Sequence, residues 1–144
     1  MRVTKIEGEV ALQPLAIPLY LSRVAAGFPS PADDYIEESI DLNKHVIKRP
    51  AATYFARANG DSMTGMGIFD GDLLVVDRSK TAVTGSVVIA VMNGELVCKV
   101  LDKERRLLRS ANSRYPALAV LDDVECSIEG VVTHALRYLD VRAG

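Results

Sequence analysis

Ser62 and Lys99 are the two residues of this chain whose types and surroundings could do covalent chemistry together. Ser62 lies in the polar stretch Ala58–Met63, and Lys99 lies inside the apolar run Glu95–Leu101. Burial disfavours the charged form of a lysine, and a neutral lysine amine can accept the proton of a serine hydroxyl. The two residues therefore suggest a Ser-Lys dyad, which activates a serine nucleophile without a histidine.

Each of these residues also has an ordinary structural interpretation. A lysine on an edge strand often extends its amine to water and discourages aggregation, and a serine beside glycines is common in turns. Ser62 is not part of a Gly-x-Ser-x-Gly elbow, because Thr64 stands at the last position, nor of Ser-x-x-Lys, because Gly65 replaces the lysine. His45 and His134 have no recognisable triad motif around them, and we interpret both as structural.

The elements that must position Ser62 and Lys99 are β-strands. Apolar or β-branched runs between turn signals predict a compact, mostly antiparallel β-domain, with strands at 53–58, 73–77, 87–92, 95–101, 106–110, 124–128 and 130–139. The dipeptide Asn93-Gly94 favours a two-residue hairpin turn between strands 87–92 and 95–101. That hairpin would place Val88 opposite Lys99.

Residues 1–50 have a different pattern from the remainder of the chain. Prolines at 14, 18, 29, 31 and 50 interrupt short apolar clusters, which predicts an extended N-terminal arm with short helical turns. A helix start is indicated at Ser30–Asp34 by a capping serine and a proline in the first turn. A second short helix is expected over 42–47, capped by Asp41 and ended before Pro50.

The composition is that of an ordinary globular protein. With 144 residues, 49% hydrophobic, 25% charged and a net charge of −2, the chain can bury a core and has no basic run for nucleic acid. Cys98 and Cys126 lie in apolar segments and are interpreted as small core residues, not as metal ligands. Neither a signal-peptide pattern nor a long apolar span is visible. We therefore expect a cytoplasmic protein without metal, cofactor or membrane partner.

The motifs around the two candidate residues carry a family resemblance. Gly60–Met63, the turn Gly67–Leu73 and the embedded Lys99 together resemble the LexA/UmuD family of self-cleaving Ser-Lys serine peptidases, and Gly27–Tyr35 and Ile40–Asn43 extend the likeness upstream. The resemblance covers nearly the whole chain after residue 17. It implies a mainly β fold: an N-terminal arm over 1–50, then a β-rich peptidase and dimerisation domain over 51–144.

The resemblance also implies roles for individual residues. Ser62 would be the nucleophile, Lys99 its general base, and Ala26-Gly27 the bond that the protein cuts in itself. Ala26 stands where UmuD proteins often have cysteine, and both are small. The backbone N–H groups of Asp61 and Ser62 are the candidates for an oxyanion hole.

The function implied by the resemblance belongs to the SOS response to DNA damage. Self-cleavage stimulated by a RecA filament on single-stranded DNA would yield an active 27–144 fragment. That fragment, as a homodimer, would serve a UmuC-type error-prone polymerase in mutagenic lesion bypass. No direct sequence-specific DNA binding is expected.

Three alternatives share parts of this pattern. A LexA-like repressor would carry a helix-turn-helix domain, for which the 26 residues before Gly27 are too few. A relative of signal peptidase would need a membrane segment, which the sequence lacks. A non-catalytic dimeric interaction module, which retains the peptidase residues without using them, belongs to a different class of function. Only a cleavage measurement separates that module from the peptidase.

Overall fold

The structure is a computed structural model, and it describes residues 1–6, 15–20, 36–116, 118–119 and 126–140. The fold is mainly antiparallel β, as predicted. Its elements in chain order are β1 (Arg2–Ile6), β2 (Ala16–Tyr20), β3 (Ile36–Asp41), α1 (Leu42–Val46), β4 (Thr53–Asn59), β5 (Leu73–Asp77), β6 (Val87–Met92), β7 (Glu95–Asp102), β8 (Leu107–Arg109), β9 (Leu118–Ala119) and β10 (Cys126–Leu136). Short 3₁₀ turns lie at Pro50–Ala52 and Thr64–Met66.

Eight of these strands form one sheet. Their order is β1-β4-β5-β10-β6-β7-β8-β9, and β1 also pairs with β7 through Arg2 and Val97. Because β1 contacts both β4 and β7, the six strands β1, β4, β5, β10, β6 and β7 close on themselves. The first strand of the chain is therefore part of the sheet that carries the candidate site.

The β6–β7 hairpin agrees with the sequence prediction residue by residue. Val88 lies opposite Lys99 and Met92 lies opposite Glu95. The turn residues Asn93 and Gly94 have φ angles of 51° and 82°, as a two-residue turn of the primed type requires. The register of this hairpin fixes where Lys99 lies in the sheet.

The last strand differs from its prediction. Two strands at 124–128 and 130–139 were expected, whereas Cys126–Leu136 is one continuous strand that pairs with β5 and β6. Its register with β6 shifts between Ile128 and Gly130, where Gly130 has a φ of 154°. The glycine therefore marks a bulge inside one strand, not a break between two.

The chain divides into two compact units. One comprises Met1–Val10 with Arg49–Gly144, and the other comprises Ala11–Lys48. Within the second unit, β2 and β3 pair antiparallel and α1 follows β3 directly. The Asp41 side chain accepts a hydrogen bond from the Asn43 backbone N–H, which confirms the predicted cap of this helix. The predicted helix start at Ser30–Asp34 lies outside the described residues.

Two clusters of buried side chains hold the sheet of the first unit together. The larger contains Met1, Val3, Tyr54, Ala56, Ala58, Met63, Ile68, Leu74, Val76, Ile89 and Cys98. The smaller contains Val88, Ala90, Met92, Leu101, Leu108 and Val131. Adjacent residues of β6 and β7 contribute to different clusters, as the two-residue side-chain period of a strand requires. Among the described residues, no helix is long and apolar enough to cross a membrane.

Candidate active site

Ser62 lies in the connection between β4 and β5, two residues beyond Gly60. Gly60 has a φ of 103°, which only glycine adopts readily, and its N–H donates to Asp70 Oδ1 at 2.8 Å. The chain therefore turns sharply at the end of β4 and then re-enters the body. Ser62 is only 3% exposed and Met63 is fully buried. A serine of an ordinary surface turn would be far more accessible.

Lys99 lies in the middle of β7, and it too is buried. Its residue is 6% exposed, and its Nζ donates to Ser110 Oγ at 2.7 Å. The interpretation of Lys99 as an edge residue that extends to water is therefore wrong, because β7 is flanked by β6 and β8. A buried lysine needs a hydrogen-bond partner, and the Ser110 hydroxyl supplies one.

The α-amino group of Met1 lies between the two candidate residues. It donates to Ser62 Oγ at 2.6 Å. Burial, together with the charge and the hydrogen bonding of Lys99, lowers the pKa of this amino group from 8.0 to about 6. The Met1 amino group thus contacts Ser62 and is close enough to Lys99 for the lysine to lower its pKa. The structure therefore brings Ser62, Lys99 and Met1 together.

Two loops that are distant in sequence hold Ser62 in place. The Ala111 N–H donates to the Ser62 carbonyl at 2.8 Å, and the Gly65 N–H donates to the Ala111 carbonyl at 2.6 Å. A Cβ at position 65 would lie 2.4 Å from that carbonyl oxygen, so only glycine allows the two loops to approach this closely. Lys99 is held by Ser110, which precedes Ala111. The 62–65 and 110–111 segments thus position both candidate residues.

Asp61, the other half of the predicted oxyanion hole, is restrained from two directions. The Asn112 side-chain amide donates to the Asp61 carbonyl at 3.0 Å, and the Tyr115 hydroxyl donates to the Asp61 carboxylate. This contact with a negative charge raises the pKa of the Tyr115 hydroxyl. The peptide planes around Asp61 and Ser62 are therefore fixed before any substrate binds, as preorganised N–H donors require.

Sequence reasoning did not identify Met1 or Ser110 as part of the site. A prediction of the β7–β8 register, in which Val100 pairs with Arg109, would have found Ser110, because one further step along both chains places Ser110 beside Lys99. The length of the turn between these strands sets that register, and Arg106 makes the turn with a φ of 58°. No sequence signal indicated that Met1 reaches Ser62, since the contact spans 61 residues.

The remaining predicted residues have separate positions. Ala26 and Gly27 lie outside the described residues, in the connection between β2 and β3. The His134 ring is exposed and contacts the Thr133 hydroxyl at 2.8 Å. Cys98 is fully buried, and burial raises the pKa of its thiol to about 12. Such a thiol stays protonated and unreactive, which agrees with its interpretation as a core residue.

Comparison with known proteins decides the family. A model of the family described as "Peptidase S24-like" matches residues 18–133. The chain belongs to the S24 peptidase family. The matched range includes the β4–β5 connection, which carries Ser62, and β7, which carries Lys99.

Relatives within the S24 family are similar over most of the chain. SamA of Salmonella typhimurium is 50% identical over 81% of this chain and 81% of its own length. MucA of Escherichia coli is 43% identical over 94% of each chain. The LexA repressor of Stenotrophomonas maltophilia is 40% identical over 85% of this chain but only 58% of its own length. The chain is thus similar to SamA over most of its length, to MucA over nearly its full length, and to one part of a LexA repressor.

Proposed function

We propose that this S24 family protein cuts its own Ala26-Gly27 bond with Ser62 as nucleophile and Lys99 as general base. The observation that carries the proposal is that both side chains are almost completely buried and adjoin a single amino group. Burial of a serine from a loop and a lysine from a strand beside the same amino group is unusual for polar residues with a purely structural role. In its neutral form the Lys99 amine is the base that the chemistry requires.

Each step of the proposed reaction uses an atom of this site. Neutral Lys99 takes the Ser62 hydroxyl proton while Oγ bonds to the Ala26 carbonyl carbon. The Asp61 and Ser62 N–H groups stabilise the oxyanion that forms. Lys99 then gives its proton to the Gly27 nitrogen as the peptide bond breaks. Water, deprotonated by Lys99, hydrolyses the Ala26 ester and restores the Ser62 hydroxyl.

Ser110 has a positioning role in this scheme. A neutral lysine amine has two N–H bonds and one lone pair. Donation of one N–H to Ser110 Oγ, at 2.7 Å, limits the rotation of the amine and leaves the lone pair for the Ser62 proton. The hydrogen bond therefore orients the general base without taking part in proton transfer.

The biological role proposed for the cleavage is in SOS mutagenesis. The family match, the similarity to SamA and MucA, and the sequence resemblance described above support it. RecA filaments on single-stranded DNA would stimulate cleavage. The 27–144 product would act as a homodimer with a UmuC-type error-prone polymerase.

The test is intact-mass spectrometry of the purified protein after incubation with RecA filaments on single-stranded DNA. We expect products of residues 1–26 and 27–144 from the natural sequence and none from Ser62→Ala. Ser127→Ala is the matched control, because Ser127 is an exposed serine of β10 whose hydroxyl donates to Glu129, and it should be cleaved normally. An unchanged mass in folded natural protein, both with RecA and at alkaline pH, would support the non-catalytic interaction module instead.

A further inference from the structure

The main chain of Met1 lies where a peptide substrate must bind. Its amino group donates to Ser62 Oγ at 2.6 Å, and its carbonyl accepts from the Cys98 N–H at 2.7 Å. Met1 thus lies between the nucleophile and the strand that carries Lys99. A serine attacks a carbonyl carbon from about 3–3.5 Å, so the scissile residues and Met1 cannot occupy this space together.

The first strand is bound in this place as an added β-strand. Arg2 pairs with Asn59 of β4 and also with Val97 of β7. Main-chain pairing gives such a strand affinity, and alternate side chains enter pockets and give it specificity. The alternation is visible here, since Met1 and Val3 are buried in the larger cluster whereas Arg2 is exposed.

The charges around the amino group suit a neutral occupant. The groups that face it are Lys99 and Cys98 on β7 and Asp61 beside Ser62. Burial, and then the nearby Lys99, lower the pKa of the Met1 amino group to about 6. At neutral pH the amine is therefore mostly uncharged and can remain beside a lysine without strong repulsion.

We propose that residues 1–6 are an intramolecular competitive inhibitor of self-cleavage, and that β1 must leave the catalytic cleft before the Ala26-Gly27 segment can reach Ser62. This inference rests on the proposed function and adds a mechanism of regulation to it. Any activator of cleavage must then favour the state in which β1 is displaced. The cleavage rate is reduced by the fraction of molecules in which the strand is bound.

A reversible disulfide between β1 and β4 tests the inference directly. Thr4 and Arg57 are cross-strand neighbours, so Thr4→Cys with Arg57→Cys allows a bond that locks β1 in place. We expect the reduced double variant to cleave and the oxidised one to cleave at least about tenfold more slowly. Arg57→Cys alone, oxidised in the same way, should show no such difference.

The outcomes of the lock separate the inference from the proposed function. The oxidised and reduced double variants could show equal rates of Ser62-dependent cleavage. That result would contradict the inference that β1 blocks access to Ser62, and it would leave the peptidase assignment intact. No cleavage in either redox state, or in the natural protein, would overturn the proposed function and this inference with it.

A second variant releases β1 instead of locking it. Val3 is 7% exposed and belongs to the core cluster, so Val3→Asp should displace the strand and raise the cleavage rate by about tenfold or more. The matched control is Val83→Asp, because Val83 is 57% exposed in a loop. A folded Val3→Asp protein that cleaves no faster than Val83→Asp would contradict the inference. If Val3→Asp does not fold, the disulfide variant decides.

Discussion

Lys99 and Met1 reach the site on two strands that are held in the sheet by different means. β7 is connected to β6 by a two-residue turn, and six residue pairs follow in unbroken register. Among the described strands, β1 pairs only with strands that are distant in the chain, and its five pairs with β4 join residues more than 45 positions apart. The first arrangement depends on turn chemistry, and the second depends on side-chain burial.

The two ways of holding a strand give β7 and β1 different properties. A locally encoded hairpin keeps Lys99, the proposed general base, at one place in the sheet. A strand held by distant contacts can leave the sheet and be replaced there by another segment. Its release separates no residues that are joined by a short turn, and it exposes few buried side chains. The position of Lys99 along the sheet therefore depends on local contacts, whereas the positions of Ser62 and Met1 depend on contacts between distant segments.

The largest effect should come from removal of the base without any change to the hairpin. Lys99→Met keeps the length and apolar stem of the side chain, and we expect self-cleavage to fall by about a thousandfold or more. The free energy of unfolding should be maintained, since methionine suits an apolar interior. Cleavage is measured by intact mass, with exposed Lys80→Met as the control. Normal cleavage by Lys99→Met would exclude Lys99 as the base.

Gly65→Ala should be the most destabilising change among the distant contacts. The new Cβ would lie 2.4 Å from the Ala111 carbonyl oxygen, so the two loops that hold Ser62 must separate. We expect a loss of about 2–4 kcal/mol in the free energy of unfolding. Urea denaturation measures it. If Gly65→Ala lowered the free energy of unfolding by less than Gly94→Ala does, the two loops would adapt easily to the new side chain.

Gly94→Ala tests the local hairpin and should cost less. Gly94 has a φ of 82°, and nothing lies within 4 Å of a Cβ built there. The penalty is therefore only that of a left-handed backbone for an alanine, about 1–2 kcal/mol. Denaturation under the same conditions gives the comparison. An equal or larger loss than in Gly65→Ala would reverse the proposed ranking.

The attachment of β1 should depend on pH through the Met1 amino group. Its pKa is about 6 in the folded protein and 8.0 ordinarily, so the unfolded chain binds more protons between these values. The free energy of unfolding should then rise with pH from about 6 to 8 and be fully gained above 8, by about 1 kcal/mol after screening of the partly enclosed group. Nα-acetylated protein is the control and should lack this increment. An identical pH dependence would contradict the buried amine.

The smallest effect should come from the ion pair that joins β1 to the hairpin. Arg2 and Glu95 approach within 3.2 Å, but their side chains are 75% and 58% exposed. Water screens such a pair, so Arg2→Ala should change the free energy of unfolding by less than about 0.5 kcal/mol. A larger loss would mean that charge, in addition to burial, holds β1.

Much of the catalytic body could be read from the sequence because its information is local. Asn93-Gly94 determined a turn, the turn determined the register, and the register placed Val88 opposite Lys99. The alternation of apolar residues likewise indicated β4, β5 and β6. The prediction of two strands in place of β10 was wrong for the same reason. An isolated glycine gives the same local signal whether it ends a strand or makes a bulge.

The sequence by itself determined the residue types for the proposed Ser-Lys dyad, the strand that carries Lys99 and the hairpin that orients it. Tertiary structure alone decided that Ser110 binds the lysine, that Ala111 holds the serine loop and that the Met1 amino group contacts Ser62. Contacts of the latter kind join segments that are far apart in the chain. Their selection depends on the total surface buried by the whole fold, which no local pattern of residues encodes.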